Sequence, residues 1–397
     1  MSSICAGADP VRGEMRFVHI GDSHLGLSQF SRLDGDGGNL RERLVYDHFL
    51  AGIDAILGKH PDAVVHTGDL FHSVRPRTRA YTTALEAITR LGDAGIPLIV
   101  IAGNHDMRRS RYTTSPFEVL EYHSAPVHAA YGSGYQPVDL GDTRFHLIPN
   151  LLQPEQYREE FDRIEPAKDR HNVLVTHGLA STLRDRRLGT VMEHEIDTTM
   201  LSPDFDYIAL GHFHGQAQVA DNAWYCGSQE YITYAECGDT KGGLLIDPGK
   251  GSVTHLNLPC TPMADLGELD CTDLSSREIG DGILGRTEKA GDPGEPAMAV
   301  ITLTGAERRV LQAVDPGILQ QAKDRFLDLK ISLYSTPQGT PLAGRRDLVG
   351  VDYGELFGEY LKDQGLDERR HRFVLAKGRD VIRKVMAAEG GGRDAAR

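Results

Sequence analysis

Two aspartates, one asparagine and five histidines fall in five short clusters along the chain. They are Asp22 and His24 in Asp-Ser-His, Asp69 in Gly-Asp, Asn104 and His105 in Gly-Asn-His-Asp, His177 in His-Gly, and His212 and His214 in Gly-His-Phe-His. Carboxylate, amide oxygen and imidazole without any thiolate form a donor set for a hard divalent ion. Asp22 and His24 alternate across one loop and can grip one ion. Asp69 is the natural bridging carboxylate. Asn104, His177 and His212 suit a second ion, and His214 returns to the first. Two ions about 3.5–4 Å apart can activate a water and hold phosphoryl oxygens together, so this set is equipped for phosphoester hydrolysis. His105 stands beside a ligand without needing to be one. With Asp106 next to it, it can be kept cationic to neutralise the transition state or protonate a leaving oxygen. His72, three residues past Asp69, is within reach of the same phosphate. The plain alternatives are a structural His105 and a surface-loop His72.

Each cluster follows a short apolar run: Phe17–Ile20, Ala63–Thr67, Leu98–Ile101, Val173–Thr176 and Tyr207–Leu210. These runs are short and β-branched enough to predict buried strands. In open α/β sheets ligands gather beyond the carboxyl ends of strands, so five strands would deliver the whole set to one rim. Leu44, Phe49, Ile53 and Ile56 predict an amphipathic helix before the second strand, and Ala84, Leu85, Ile88 and Leu91 another before the third. After His177 helical signals thin out. Trp224–Cys226, Gly243–Ile246 and Val253–Leu256 read as strands of a second sheet, which makes a four-layer αββα sandwich over residues 15–256. His19 and His66, inside buried strands, read as hydrogen-bonded core residues.

A smaller α+β unit is expected over 257–334. Met298–Leu303 reads as a strand, and Leu327–Leu333 alternates with period two, one face buried and one wet. Val310–Lys323 between them is polar and helix-like. Residues 335–341, with two prolines and a glycine, read as a linker. Beyond it Tyr353, Leu356, Phe357, Tyr360 and Leu361 keep helical spacing, and Val374, Val381, Ile382 and Val385 suggest a second helix. This C-terminal helical segment, 335–389, has little core of its own and should dock on its own body or on a partner. Residues 1–14 and 390–397 read as a disordered lead and tail.

The 397 residues carry 25% charged and 40% apolar side chains, ordinary values for a globular protein. No apolar run reaches the roughly 20 residues that span a bilayer, and the first fifteen residues lack a signal-peptide core. The expectation is a cytoplasmic protein that binds no membrane. Five scattered cysteines without C-x-x-C spacing argue against a disulfide framework or a thiolate metal site. A net charge of −14 opposes nucleic-acid binding by the body as a whole. Arg75, Arg77 and Arg79 nevertheless follow the Asp69 loop, and Arg108, Arg109 and Arg111 follow the Asn104 loop, where a phosphodiester would arrive. A solvated loop is the plain alternative for both groups.

The order D-x-H, G-D, G-N-H-D, H-G and G-H-x-H resembles the calcineurin-like metallophosphoesterase superfamily. Within it, Asp22-Ser-His-Leu-Gly26, Gly68-Asp-Leu-Phe-His-Ser-Val-Arg-Pro76 and Tyr225-Cys-Gly-Ser-Gln-Glu230 are similar to the SbcD-type DNA repair nucleases. The resemblance spans about residues 15–256. It implies a β-sandwich flanked by helices, two metal ions, and manganese-dependent exonuclease and endonuclease activity on DNA. It places His72 and His105 near the scissile phosphate. It also implies a homodimer and an SMC-like ATPase partner of the SbcC type. By position alone, 257–334 would be a DNA-capping domain and the terminal helices the ATPase-binding segment. Ser23 and Cys226 depart from common residues of the group, and neither is a proposed ligand. The rival readings are a general phosphomonoesterase or cyclic-nucleotide phosphodiesterase, and a non-catalytic scaffold subunit.

Overall fold

Apolar runs too short for helices and rich in β-branched residues become strands wherever both faces can be buried. In a computed structural model, residues 15–108, 114–132, 134–151, 153–181, 183, 195–202, 204–291 and 294–334 are described, with 357, 361 and 370–379 beyond them. The first strands are β1 (Phe17–Ile20), β2 (Ala63–His66), β3 (Leu98–Ile101), β4 (Val127–Ala130), β5 (Gln136–Leu140) and β6 (Thr143–Ile148). They are followed by β7 (His171–His177), β8 (Leu179–Ala180), β9 (Glu195–Ile196), β10 (Tyr207–Gly211), β11 (Ala217–Ala220) and β12 (Ala223–Tyr225). The last are β13 (Gly243–Asp247), β14 (Ser252–Leu256), β15 (Met263–Asp270), β16 (Met298–Thr304) and β17 (Asp328–Tyr334). The helices are α1 (Leu40–Leu57), α2 (Thr78–Asp93), α3 (Pro154–Phe161), α4 (Ser276–Lys289), α5 (Arg308–Gln312) and α6 (Pro316–Asp324).

Two six-stranded sheets face each other, ordered β14-β13-β1-β2-β3-β4 and β11-β12-β10-β7-β6-β5. Between them pack Phe17, Val65, Ile101, Phe145, Val175 and Tyr207, all buried. The outer face of the first sheet is covered by α1 and α2 through Phe49, Ile53, Ile56, Ile88 and Leu91. Tyr157 of α3 packs with Leu174, Ile208 and Leu210 on the far face of the second. Burying each such side chain stabilises the fold by about 1.5–3 kcal/mol. The four-layer α/β sandwich expected from the strand spacing is therefore the architecture found.

One expectation about the sheets is corrected. Gly243–Ile246 and Val253–Leu256 do not join the second sheet. They form β13 and β14, which extend the first sheet by antiparallel pairing of β13 with β1, Phe17 opposite Ile246. Only β12 of the three joins the second sheet, parallel to β10. Periodicity reports which residues are buried, and it cannot report which of two facing sheets buries them.

A third sheet, parallel and ordered β15-β16-β17, follows. Ile279 and Ile283 of α4 and Ala322 of α6 close its buried face against Ile301 and Leu329. The helix expected over Val310–Lys323 is broken into α5 and α6, because Asp315 caps a new start and Pro316 occupies its first turn. The connection into this sheet is braced by Arg41, fully buried in α1. Its guanidinium donates to Glu230 at 2.7 Å, Thr261 at 2.5 Å and the Tyr231 carbonyl at 2.6 Å. Burial raises the Glu230 carboxyl, yet Arg41 and His48 outweigh it and hold its pKa below the ordinary range.

The chain divides into two compact units between Tyr334 and Ser335. In the second, Phe357, Leu361 and residues 370–379, which include Val374, are helical. Tyr353, Leu356, Tyr360, Val381, Ile382 and Val385 lie outside the described residues, as do 1–14 and 390–397. Among the described residues, no helix is long and apolar enough to cross a membrane.

Candidate metal centre

β1, β2 and β3 run parallel in one sheet, and β7 and β10 run parallel in the other. Their carboxyl ends meet at one rim, which brings the five clusters together. The loops are laced to each other: Asp22 N donates to Gly68 O at 3.0 Å, His24 N to Asp69 O at 2.9 Å and Leu25 N to Leu70 O at 2.8 Å. To turn their side chains inward, Asp22, His24, Asp69 and His212 adopt φ of 49°, 47°, 52° and 101°. Such values cost L-residues energy and persist only where the surroundings enforce them. Two glycines of the motifs have a steric origin. A Cβ at Gly103 would overlap the amide and carboxylate of Asp69, and one at Gly211 the carbonyl of Thr67.

Donor atoms of Asp22, His24 and His214 lie within 4.8 Å of one another, as do those of Asp22, Asp69 and His177. Asp69 Oδ2 stands 3.8 Å from His24 Nε2 and 3.7 Å from His177 Nε2, between the two groups. Asn104 Oδ1 lies 2.9 Å from His177 Nε2 and 2.9 Å from His212 Nδ1. Five of the seven residues expected as ligands thus fall in two overlapping sets that share Asp22, with Asp69 placed centrally, and Asn104 and His212 adjoin His177. His24 Nδ1 also faces His72 Nδ1 at 3.2 Å, and His24, His72 and His105 form a third cluster.

The electrostatics of the rim fit a cation. Burial, with His214, His105, His72 and His177 close by, drives the His24 pKa well below 6.5, and burial likewise lowers His72. Neutral imidazole is the form that ligates a metal. Burial lifts Asp22 to about 6, against the pull of His214, the His212 amide and Lys241. A carboxylate this deeply buried calls for compensating positive charge, and a divalent cation would add to what Lys241 and His214 provide. Buried carboxylates, an amide oxygen and neutral imidazoles together are the chemistry of a divalent-metal site.

Several supporting contacts carry no motif in the sequence. His214 Nδ1 lies 3.0 Å from Glu236 Oε1, and Glu236 is paired with the buried Lys241 at 2.6 Å. Burial alone would raise Glu236, but His214 and Lys241 bring it down to about 2. Glu236 therefore orients the ring as an ionised carboxylate. His177 Nδ1 donates to Thr67 O at 2.8 Å, which aims Nε2 at the rim. Tyr157 and Asn150 both reach the His177 carbonyl. Nothing but the fold brings these residues within reach.

Asp106 does not orient the His105 ring as expected. It is fully buried, and its two oxygens accept the backbone N–H groups of Gly103 at 2.7 Å and Phe71 at 3.0 Å. Burial raises it to about 7 against those hydrogen bonds. Its place is that of a tie between two ligand loops. The His105 ring turns elsewhere: Nδ1 donates to the His72 carbonyl at 3.1 Å, and the two rings stack 5.2 Å apart. Arg75 and Arg108 are exposed. Arg77 is exposed too, but it pairs with Glu42 at 2.7 Å at the start of α2. Arg109 and Arg111 lie outside the described residues. His19 and His66 are core residues as expected, His19 against Tyr207 at 2.9 Å and His66 against Ser23 at 2.8 Å. Burial lowers both to about 3.

The sandwich with this rim defines a phosphoesterase. The calcineurin-like phosphoesterase family matches residues 15–216, and the chain belongs to it. It is a metal-dependent phosphoester hydrolase by that membership. More particularly, it is 30% identical over 264 residues to the DNA double-strand break repair protein Mre11 of Methanococcus maripaludis, covering 62% of this chain and 68% of that one. It is 34% identical over 251 residues to the protein of that name from Sulfurisphaera tokodaii, covering 58% and 59%. A third, from Methanocaldococcus jannaschii, is 30% identical over 279 residues, covering 67% and 68%.

Proposed function

We propose that the chain is a DNA nuclease of double-strand-break repair, cleaving phosphodiester bonds as an exonuclease and endonuclease with two manganese ions. The convergence of donors from five strand ends carries this reading, together with the similarity to relatives named for break repair. Asp22, His24 and His214 would hold one ion, Asn104, His177 and His212 the other, with Asp69 between them. Ions there supply Lewis-acid polarisation of the phosphoryl group. His105 works from beside them. Its Nδ1–H is committed to the His72 carbonyl, so proton exchange with the leaving oxygen falls to Nε2. His72 buttresses that ring and adds donor capacity on the same side. Arg75 and Arg108 meet the flanking phosphates.

The three-stranded sheet and its helices, within 257–334, serve in this reading as a cap over DNA. Residues 335–389 bind an SMC-like ATPase of the SbcC type, and the protein works as a cytoplasmic homodimer. The discriminating measurement is hydrolysis of linear duplex DNA beside a chromogenic monoester after metal removal and manganese return. Cleavage of DNA with slow monoester turnover is the expected result. The reverse preference would make this a phosphomonoesterase. A chain ending at Tyr334 should keep metal-dependent cleavage of small substrates and lose ATPase binding in a pull-down. Retained binding would refute the assignment of the second unit.

A further inference from the structure

β1 and β2 each run into a loop that carries donors, and the side chain of His66 joins the two. His66 is the last residue of β2, paired in register with Ile20 of β1, and Asp69 follows in the next turn of chain. Its Nε2 stands 2.8 Å from the Ser23 hydroxyl. Ser23 lies between Asp22 and His24. Those two serve the rim, whereas Ser23 reaches His66 in the layer beneath α1 and α2. Both partners are buried, Ser23 at 5% and His66 at 1% exposure.

That layer is a poor place for an imidazole. His66 lines a cavity of about 10 Å³ together with Phe49 and Ile53 of α1 and Ala84 and Ile88 of α2, and every other described side chain around it is apolar. A water there would lack the two to four polar partners it needs. His66 Nδ1 accordingly has no hydrogen-bond partner. Burial lowers the ring to about 3, so it is neutral and carries one ring proton. Wherever that proton sits, Nδ1 stays unpaired, and Nε2 either accepts from the Ser23 hydroxyl or donates to it. A buried polar atom without a partner costs stability, and a leucine side chain would remove the cost. What the imidazole supplies in exchange is its contact with Ser23.

The contact falls on a strained stretch of backbone. Asp22 and His24 flank Ser23 with φ of 49° and 47°, and such values persist only where neighbouring groups enforce them. Asp22 belongs to both donor sets, and His24 to the one that includes His214. We propose that His66 is a positioning residue for the metal centre: through the Ser23 hydroxyl it holds the loop that aims Asp22 and His24. This rests on the assignment of those two residues to an ion, and it adds the side chain that fixes them from behind.

The test reads stability and metal affinity apart. Full-length His66→Leu, Ser23→Ala, the double variant and His66→Gln are stripped of metal, melted in EDTA, and titrated with manganese by calorimetry. His66→Leu should melt no lower than wild type, because it removes an unpaired nitrogen, yet its manganese affinity should weaken about tenfold. Ser23→Ala should weaken it by the same factor. The double variant should be no worse than either single change, since both remove one interaction. The amide of His66→Gln can stand where Nε2 stood, so this variant should keep most of the affinity. Unchanged affinity in His66→Leu or Ser23→Ala overturns the proposal, as do single effects that multiply in the double variant. Equal weakening in His66→Gln and His66→Leu, with lowered melting in both, would make His66 a core residue alone. Should His66→Leu not fold, the affinity of Ser23→Ala decides. Asp22→Asn separates the underlying reading: unchanged affinity there removes Asp22 from the centre, and the positioning role with it. Affinity lost in Asp22→Asn but kept in Ser23→Ala overturns the positioning role by itself.

Discussion

At the rim of the sandwich, Asp22, His24, Asp69 and His212 all hold positive φ, and Asp22, His24 and Asp69 are buried. Between Met263 and Tyr334, Asp273 is the one described non-glycine residue with positive φ, and the buried side chains there are almost all apolar. The rim departs from backbone preference and from the rule against buried charge in one small volume. The three-stranded sheet departs from neither. Strain and buried polarity are tolerable at the rim because two apolar layers behind it fix the strand ends. The comparison separates residues kept for chemistry from residues kept for stability, and each side can be tested.

Asp69→Ala should have the largest effect. Asp69 is central to both donor groups and also accepts the His105 amide at 2.8 Å, so hydrolysis should fall by roughly 10⁴-fold or more, as for members of a unit that acts together. Metal analysis after dialysis should show lost stoichiometry. Normal metal content with normal turnover would remove Asp69 from the centre. His105→Ser should lower kcat by about 10²–10⁴-fold and leave metal content intact. Loss of metal in that variant would move His105 among the ligands.

On the other side of the comparison, Ile301→Ala should destabilise the protein by about 2–5 kcal/mol, because Ile301 is fully buried under α4. Denaturant unfolding measures the loss, and metal content of the folded protein should not change. A drop in metal affinity would show that the two regions are coupled, and the distinction drawn above would collapse. The smallest effect should come from Glu236→Gln. It keeps the shape but removes the charge that orients His214, and metal affinity should weaken about 10–100-fold with turnover restored by excess metal. Calorimetric titration reads it directly. Unchanged affinity would leave Glu236 with a purely structural role.

The rim was the more legible region in the sequence, for a physical reason. β1, β2 and β3 begin where their apolar runs begin, and each is followed at once by donors whose residue types have few other uses together. What supports those donors could not be read. Glu236 and Lys241 carry no motif, and their value depends on a fold that brings them to His214. Asp106 was adjacent in sequence to His105, yet its oxygens serve two backbone amides. Adjacency along the chain does not give direction in space. In the sheets, β5 was hidden because Pro137 and exposed polar residues mark an edge strand. β15 was hidden by Gly267 and a register shift between Asp265 and Glu268. The capping box of Ser275 and Glu278 marks the start of α4, a signal that is present in the sequence itself.

The pairing of Phe17 with Ile246 also sets a schedule for the ribosome. β1 is the first of the described strands, but one of its edges stays open until β13 has been made, after every donor from Asp22 to His214. Contacts so far apart along the chain form late. A nascent chain therefore carries the early donors for most of translation without a closed sheet to aim them. The first sheet gains its last strands only after all the donors have been made, so the rim acquires its full backing at the end of the sandwich's synthesis.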